Sequence, residues 1–336
     1  MQFNFKILLI RFSSFGDITQ SLSLPAKIKE KFPQAQIHFI TRKEFKGIIE
    51  PHPLVEKVWS LDRKLGIKGL FDLGLKLRQE NYLKIYDVHN NFRSRLICLI
   101  IGFSKKLEIL RRPTYRIKRI LLFSFRINKY EMPFSGQRDL IEPLEKWGIS
   151  RSLPPPPQIF PSELDETKAR ELLQSFAKSF ITLAPSAAYF LKRWPKSYWI
   201  KLIELLPEKN FVILGGPEDR FIEDIEKAAP HRCLNLAGKC DLSVNTAIIS
   251  KSELLISNDT GLMHVAEQLG HSCIALMGPA PFGFPSRATT HIFEIDLTCR
   301  PCSKHGQGPC TNAKYHQCLV DIKPETVASR VRKWKL

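Results

Sequence analysis

The stretch LLISNDTGLMHVAEQLG, residues 254–270, decides both the fold and the candidate site of this chain. Its apolar beginning at residues 254–256 predicts a buried strand, and the apolar residues at helical spacing near its end predict a helix. The polar turn at residues 257–261 leaves unpaired backbone N–H groups at the start of that helix, where the helix dipole also favours negative charge. The turn therefore predicts an anion-binding site, although Asp259 or Thr260 alone would serve equally well as a helix cap.

The rest of the chain repeats this alternation of short strands and helices, which is typical of parallel sheets with crossover helices. In the first half we predict strands at residues 6–11, 37–41, 55–61 and 84–88 and helices at residues 18–31, 43–49, 65–80 and 116–125. In the second half we predict strands at residues 181–184, 211–214, 254–257 and 273–277 and helices at residues 163–175, 196–206, 220–228 and 243–250. Four consecutive prolines at residues 154–157 predict a linker. The predicted organisation is a first domain at 1–153, a linker at 154–162, a second domain at 163–322 and a C-terminal helix at 323–336.

The composition excludes several classes of protein. With 336 residues, of which 43% are hydrophobic and 10% aromatic, the chain suits two packed domains rather than a disordered protein. No apolar run approaches the roughly 18 residues that span a bilayer, and the short run at residues 7–10 is not followed by a signal-peptide cleavage site. We therefore expect a soluble cytosolic protein, whose eight cysteines are thiols or metal ligands rather than disulfides.

The net charge of +18 is unevenly distributed. Residues 1–155 contain 29 Lys and Arg against 14 Asp and Glu, whereas residues 156–336 contain 22 against 19. The predicted helix at 116–125 has one apolar side and basic residues beside it, namely Ile117, Ile120, Leu121 and Phe125 next to Arg116, Lys118 and Arg119. A basic surplus confined to one half predicts a polyanionic partner, which is a nucleic acid, an anionic membrane or a phosphorylated substrate.

Three predicted strand-to-loop junctions in the second half are more polar than a scaffold requires. They are Ala184-Pro185-Ser186-Ala187 followed by Lys192, Leu214-Gly215-Gly216-Pro217-Glu218-Asp219, and Asn258-Asp259-Thr260-Gly261 followed by His264. In a doubly wound sheet all three lie on the edge where ligands bind. Small residues admit a ligand to the backbone, Lys192 offers a cation for phosphate, and Glu218 can accept hydrogen bonds from ribose hydroxyls. Each also has a purely structural interpretation, in which the glycines form a turn, Lys192 is on the surface and His264 is in the core.

The first half offers Ser13-Ser14-Phe15-Gly16-Asp17 directly after its first predicted strand. This segment has too few glycines for a dinucleotide-binding loop. Asp17 is placed to act as a general base on a bound ligand. It fits the N-terminal cap of the following helix equally well.

Taken together, these segments resemble glycosyltransferase family 9, the ADP-heptose:lipopolysaccharide heptosyltransferases. The similar segments are Ser14-Phe15-Gly16-Asp17 with Pro25, Tyr86-Asp87 with Asn91-Phe92-Arg93-Ser94, Pro185-Ser186, Lys192-Arg193-Trp194-Pro195, Gly215-Gly216-Pro217-Glu218, Leu236-Ala237-Gly238-Lys239, Ser257-Asn258-Asp259-Thr260-Gly261-Leu262-Met263-His264 with Gly270, and Met277-Gly278-Pro279. One departure is Asn90, where relatives commonly have glycine. The resemblance implies an α/β GT-B architecture, in which two Rossmann-like, doubly wound domains face a central cleft. It implies that the C-terminal domain binds the donor and the N-terminal domain binds the acceptor.

The resemblance further implies an inverting transfer of heptose from ADP-heptose to the inner core of lipopolysaccharide, without a cofactor. We predict direct displacement, with Asp17 as general base and Lys192 and the N–H groups near Gly261 stabilising the leaving diphosphate. No clustered Asp-x-Asp motif is present to bind a divalent cation, so we predict a metal-independent enzyme. The predicted donor-binding residues are Ser186, Ala187, Lys192, Gly216, Glu218, Asp259, Thr260, Gly261 and His264. The predicted acceptor-binding residues are Ser14, Gly16, Asn91, Arg93, Arg111, Arg112, Arg116 and Arg119.

We expect the polyanionic partner to be the lipopolysaccharide acceptor at the anionic inner membrane, with the protein peripheral at its cytoplasmic face and no nucleic acid bound. One alternative is a relative in the same family that uses another nucleotide sugar or acceptor. Another is a nucleic-acid-binding protein, although no common nucleic-acid-binding module is recognisable. The spacing of Cys299, Cys302, Cys310 and Cys318 leaves open either a structural zinc site or a cysteine-rich loop.

Overall fold

The computed structural model describes residues 5–102, 107–176 and 179–334. The chain divides into two compact units, the first comprising Met1–Tyr115 with Gly136–Phe160 and the second Arg116–Ser135 with Pro161–Leu336. Within the described residues, no helix is both long enough and apolar enough to cross a membrane.

The first unit is built on a parallel sheet of five strands. In chain order they are β1 (Lys6–Ile10), β2 (Gln36–Arg42), β3 (Lys57–Leu61), β4 (Lys84–Asp87) and β5 (Glu108–Arg111). In space they follow the order β3-β2-β1-β4-β5, which places the reversal of strand order between β1 and β4. Strand β1 lies at the centre of the sheet. Its residues 7–10 are fully buried, as expected of a strand covered by helices on both faces.

The second unit contains a parallel sheet of six strands. They are β6 (Ile181–Ala184), β7 (Phe211–Ile213), β8 (Cys233–Asn235), β9 (Leu254–Asn258), β10 (Cys273–Leu276) and β11 (Thr290–Phe293). Their order, β8-β7-β6-β9-β10-β11, is that of a Rossmann sheet, with the reversal of strand order between β6 and β9. Ligands of such sheets bind beside the carboxyl ends of the strands at this reversal.

Helices cover both sheets. Those from the N-terminal part of the chain are α1 (Phe15–Ser21), α2 (Ser23–Lys31), α3 (Lys46–Ile49), α4 (Gly66–Arg78), α5 (Phe92–Ile101), α6 (Arg116–Phe125) and α7 (Gly136–Ile141). The remaining ones are α8 (Glu163–Leu173), α9 (Lys196–Leu205), α10 (Ile222–Lys227), α11 (Leu242–Lys251), α12 (Gly261–Leu269), α13 (Gln317–Val320) and α14 (Pro324–Arg332). Both units are therefore Rossmann-like, and the prediction of two doubly wound α/β domains is confirmed.

The elements differ from the sequence prediction in two ways. The single helix predicted at residues 18–31 is two helices, α1 and α2, because Pro25 has no backbone N–H and is tolerated only in the first turn of a helix. Strands β5, β8 and β11 were not predicted, because each is an edge strand of its sheet and is only partly buried. Such strands lack the continuous apolar run that marks a buried strand.

The boundary of the first unit also differs from the predicted domain at 1–153, since residues 116–135 belong to the second unit. Side chains beyond α6 explain this placement. The Arg126 guanidinium donates a hydrogen bond to the carbonyl of Pro301 at 2.6 Å, and the Ser135 hydroxyl donates one to Ser286 at 2.7 Å. The predicted C-terminal helix is α14, and residues 335–336 of the predicted segment lie outside the described residues.

Candidate active site

Asn258 holds the turn between β9 and α12 to the loop that follows β6 in the second unit. Its side-chain oxygen accepts a hydrogen bond from the backbone N–H of Trp194 at 3.1 Å, and its side-chain nitrogen donates one to the carbonyl of Pro185 at 2.7 Å. Both amide atoms have a partner in this buried position, so Asn258 fixes the loops after β6 and β9 side by side.

Helix α12 begins at Gly261 with Thr260 as its N-cap. The Thr260 hydroxyl accepts a hydrogen bond from the backbone N–H of Leu262 at 3.2 Å, which satisfies one of the free donors of the first turn. The structure thus assigns the capping role to Thr260 rather than to Asp259. The other N–H groups of the first turn keep the dipole-favoured position for an anion.

Asp259 instead forms an ion pair with Lys192, with 2.7 Å between the lysine Nζ and the carboxylate Oδ2. The two side chains are only 5% and 16% exposed, respectively. A Cβ at Gly283 would collide with the Asp259 carboxylate, so the close approach of that loop requires glycine. The interpretation of Lys192 as an ordinary surface lysine is therefore wrong, because its ammonium group is held in a defined place.

Asp219 is a residue whose importance the sequence analysis missed. Its carboxylate accepts hydrogen bonds from the Ser186 hydroxyl at 2.5 Å and the Gly216 backbone N–H at 2.8 Å, and Arg193 lies 3.3 Å from its other oxygen. Arg193 in turn donates a hydrogen bond to the carbonyl of Ala187 at 2.9 Å. The signal available in the sequence was an acidic residue at the end of the glycine-rich turn. In the structure its buried carboxylate joins the loops that follow β6 and β7.

The exposed carboxylate of this region belongs to Glu218, which lies beside Gly216. His264, by contrast, is 3% exposed, and its Nδ1 lies 2.8 Å from the Glu267 carboxylate. Glu267 also accepts hydrogen bonds from the backbone N–H groups of Ser286 and Arg287. His264 is therefore part of a buried structural network, and its geometry gives no support to the prediction that it binds the donor.

In the first unit, Ser14, Gly16 and Asp17 lie at the start of α1. The Ser14 hydroxyl and backbone N–H donate hydrogen bonds to Asp17 Oδ2 at 2.8 and 3.2 Å, and Asp17 also pairs with Arg11. Its second oxygen, Oδ1, lies 3.9 Å from Arg112 Nη1, beyond hydrogen-bond distance. The N-cap of α1 is thus Ser14 rather than Asp17, and Asp17 completes a capping box as the third residue of the helix. Its Oδ1 takes no part in the capping-box hydrogen bonds.

Charge holds this carboxylate ionised. Burial by itself would raise the pKa of Asp17, but Arg11, Arg112 and the Ser14 hydrogen bonds outweigh it and lower that pKa far below the ordinary aspartate value. Arg112 is fixed by two hydrogen bonds to Asp139, at 2.9 and 2.6 Å. Neither Arg11 nor Asp139 was predicted as part of the site. Asp139 is 27 residues from Arg112. Arg11 is close to Asp17 in the chain, but only the fold of the turn between β1 and α1 brings the two side chains together.

Asn91 caps helix α5, its side-chain oxygen accepting a hydrogen bond from the backbone N–H of Ser94 at 3.0 Å. The neighbouring Asn90 has a φ of 49°, a left-handed conformation that glycine and asparagine adopt more readily than other residues. The backbone at this position therefore suits asparagine as well as the glycine that the family resemblance leads one to expect. Arg93, the second residue of α5, is exposed, and so is Arg111 at the end of β5.

The predicted acceptor residues are thus divided between the units. Ser14, Gly16, Asn91, Arg93, Arg111 and Arg112 lie in the first unit, whereas Arg116 and Arg119 lie on α6 in the second. Their assignment to the first domain is corrected, because α6 packs with residues such as Phe282, whose ring centroid lies 6.2 Å from that of Phe123.

The four C-terminal cysteines, Cys299, Cys302, Cys310 and Cys318, line one pocket of the second unit together with His316. Two of the thiols have polar neighbours, since the His316 backbone N–H donates to Cys310 Sγ at 3.2 Å and the Asn312 side chain donates to Cys299 Sγ at 3.3 Å. In the described part of the chain, no three His, Cys, Asp or Glu side chains converge in a way that could hold a metal ion.

Comparison with known proteins agrees with this architecture. The model of glycosyltransferase family 9 (heptosyltransferase) matches residues 70–316. Lipooligosaccharide heptosyltransferase 2 of Haemophilus ducreyi is 28% identical over 347 residues, covering 97% of this chain and 98% of the relative.

Solved structures show the same fold. A family 9 glycosyltransferase from Veillonella parvula superposes with a TM-score of 0.80 at 18% identity, covering 99% of this chain and 98% of that one. Escherichia coli heptosyltransferase WaaC with ADP-2-deoxy-2-fluoro heptose superposes with a TM-score of 0.67 at 15% identity, covering 98% and 99%. The chain is therefore a member of glycosyltransferase family 9, the heptosyltransferases, and a glycosyltransferase with the GT-B fold of two Rossmann-like units.

Proposed function

We propose that this enzyme transfers a heptose from ADP-heptose to the inner core of lipopolysaccharide. The family match and the names of the full-length relatives support the sugar and the acceptor. The donor is supported by the fold shared with a heptosyltransferase that was solved with an ADP-heptose analogue. The observation that supports the proposal most directly is the position of Asn258. It holds the loops after β6 and β9 together at the reversal of strand order, where such sheets bind ligands.

These loops offer the groups that a nucleotide diphosphate needs. The first turn of α12, at Thr260 and Gly261, supplies N–H groups and the positive end of a helix dipole. Lys192 supplies a cation, and its ammonium has three N–H donors, so it can contact Asp259 and a phosphate at the same time. This positive charge is in place without a divalent cation, which supports a metal-independent transfer.

The nucleoside is expected beside the loops after β6 and β7. Ser186, Ala187 and Gly216 present small side chains and backbone groups there, and Asp219 holds the loops in register. Glu218 is exposed and acidic, so it can accept hydrogen bonds from both ribose hydroxyls.

The reaction we propose is a direct displacement with inversion. An acceptor hydroxyl oxygen attacks the anomeric carbon of the heptose, and the bond from that carbon to the ADP oxygen breaks. The hydroxyl proton passes to Asp17 Oδ1, the oxygen that the cap leaves open. The electron pair of the broken bond leaves with ADP, where Lys192 and the α12 N–H groups stabilise the added negative charge.

The low pKa of Asp17 is compatible with this role. The acceptor hydroxyl becomes strongly acidic only as its oxygen bonds to the anomeric carbon, so a weak base can take the proton late in the displacement. Arg11 and Arg112 keep the carboxylate ionised and ready for that proton at neutral pH. Proton removal by a positioned side chain contributes about 10² to 10⁴ in rate.

We further propose that the acceptor is held in the first unit by Ser14, Gly16, Asn91 and the exposed Arg93 and Arg111. Arg112 contributes charge but is held by Asp139. The phosphates and acidic sugars of the inner core complement the charge of the first unit, whose residues 1–115 and 136–160 include 24 Lys and Arg against 13 Asp and Glu. The proposed location is the cytoplasmic face of the anionic inner membrane.

The test is a product assay with the purified full-length protein. Heptose-deficient core acceptor is incubated with ADP-heptose, ADP-glucose or UDP-glucose, and the product is weighed by mass spectrometry. Gain of one heptose with ADP-heptose alone supports the proposal. Transfer from another nucleotide sugar in preference to ADP-heptose would identify the chain as a family member with a different donor.

A further inference from the structure

Helix α6 presents an apolar face to solvent. The side chains of Ile117, Ile120 and Phe125 are 75%, 56% and 64% exposed, whereas Leu122 on the opposite side is 3% exposed. Ile117 and Ile120 are three residues apart and therefore share one face of the helix. The amphipathic pattern predicts that this apolar side is buried, and the structure instead buries the other side.

The orientation of α6 is set by its inward contacts. The Phe123 ring packs against Phe282, and Tyr130 packs against the same ring with centroids 5.0 Å apart. Arg126 is tied to the carbonyl of Pro301. The helix is thus anchored to the second unit by one side, and its outward apolar face is a fixed part of the surface.

All charged residues in the stretch of chain that contains α6 are basic. Between Glu108 and Glu131 there are seven Lys and Arg residues and no Asp or Glu. Arg116 is exposed on the same helix as the isoleucines. Apolar residues flanked by basic ones are the pattern of helices that lie in the headgroup region of anionic membranes.

We propose that α6 docks the enzyme on an anionic membrane surface, with Ile117, Ile120 and Phe125 inserted at the boundary of headgroups and acyl chains. This deepens the proposed function, since the acceptor we assign is a membrane lipid. A nucleic acid would use the charges but leave the apolar face in water. A second copy of this chain would bring two basic segments together and repel.

The test is vesicle flotation with the full-length protein. The anionic probe is a vesicle of phosphatidylethanolamine with roughly 30% phosphatidylglycerol. Vesicles of phosphatidylcholine, which carry no net charge, serve for comparison. We expect binding to the anionic vesicles that weakens with salt. The variant I117S/I120S should lose at least about tenfold in affinity for the anionic vesicles. Binding depends both on the insertion of apolar side chains and on charge attraction, and the variant removes the first of these contributions.

The matched control is L164S/Y315S, which removes two exposed large side chains from other parts of the same unit. It should bind vesicles like the wild type. Wild-type binding by I117S/I120S, or an equal loss in the control, would overturn the proposal. So would a wild-type dimer in sedimentation that I117S/I120S converts to monomer while vesicle binding is unchanged.

Transfer to a water-soluble, deacylated core acceptor separates this proposal from the proposed function. I117S/I120S should retain wild-type turnover on that acceptor, because the membrane is absent. If no heptose transfer is found for the wild type while α6-dependent vesicle binding persists, the proposed function fails and the docking surface stands.

Discussion

Replacing Asp17 with asparagine tests the proposed general base directly. Asparagine preserves the shape of the side chain, and its amide oxygen can still accept the hydrogen bond that the Ser14 backbone N–H donates to Asp17 in the capping box. It removes the carboxylate that would accept the acceptor proton. We expect kcat to fall by about 10² to 10⁴, which is about 3 to 5 kcal/mol in the activation free energy. The Kd for ADP should not change, because Asp17 lies in the first unit and the proposed donor residues lie in the second.

The same substitution has a smaller effect on folding. It breaks the pair with Arg11, whose side chain is 8% exposed, but the Asp17 side chain is 35% exposed. A broken pair costs about 3 to 5 kcal/mol when fully buried and about 0 to 1 kcal/mol at the surface. We therefore expect the free energy of unfolding to fall by about 1 to 2 kcal/mol, too little to unfold a domain of ordinary stability.

The matched control is Asp62→Asn. Asp62 is also 35% exposed, and it caps a short helical turn in the same unit by accepting a hydrogen bond from the Lys64 backbone N–H at 2.9 Å. Turnover of heptose into acceptor is measured for both variants by mass spectrometry, and unfolding is followed in urea. If Asp17→Asn turns over within a factor of about three of Asp62→Asn, then Asp17 serves only in the capping box of α1.

The pH dependence supplies a second measurement on the same residue. Arg11 and Arg112 lower the pKa of folded Asp17 below its unfolded value of about 3.9, so its stabilising effect is present above that pH and is lost as pH falls through the folded pKa. The kcat/KM of the wild type should accordingly show no acid limb from Asp17 between about pH 5 and 8. In Arg11→Met one of the two cations is gone, and an acid limb should move upward toward that range. An acid limb that lies at the same pH in both proteins would exclude Asp17 as the titrating base.

Other substitutions separate donor binding, loop positioning and acceptor binding. Lys192→Ala should raise the KM for ADP-heptose and lower kcat together, and unchanged donor affinity in calorimetry would remove Lys192 from the mechanism. Asp219→Asn should weaken ADP binding about tenfold by loosening Ser186 and Gly216, an effect that Asp219→Glu would not be expected to rescue if geometry is decisive. His264→Ala should lower the free energy of unfolding by about 2 kcal/mol without changing the Kd for ADP, because its partner Glu267 is buried. R93E/R111E should raise the KM for the acceptor and flatten its salt dependence while donor KM stays constant, and a donor effect would contradict the assignment of the acceptor to the first unit.

How far the sequence predicted the fold depended on the length of the apolar signal. Strands β1, β6 and β9 were predicted because each is a run of buried apolar residues that ends at a polar turn. Strand β5, with exposed Glu108 and Arg111 at its two ends, gave no such run. The exposed apolar face of α6 could not be predicted, because an amphipathic pattern specifies two faces but does not say which one the rest of the chain covers.

The candidate site was predicted where its residues are neighbours in the sequence. Thr260 as cap and Gly261 as helix start follow from local chemistry, and the structure agrees. The pairs that hold the site rigid, Lys192 with Asp259 and Arg112 with Asp139, join residues far apart in the chain, and only the fold brings them together. A single sequence contains no measure of that distance.

Asp17 illustrates why two interpretations of one residue need not exclude each other. A carboxylate has two oxygens and about four lone-pair positions. The cap and the Arg11 pair use Oδ2, which fixes the side chain rotamer, while Oδ1 remains 3.9 Å from Arg112. A base must be held in one orientation to accept a proton. The hydrogen bonds from Ser14 to Oδ2 supply that restraint and leave Oδ1 available. The structural role of Asp17 is therefore a condition for the catalytic one, and Ser14→Ala should lower kcat by a smaller factor than Asp17→Asn, because it loosens the carboxylate without removing it.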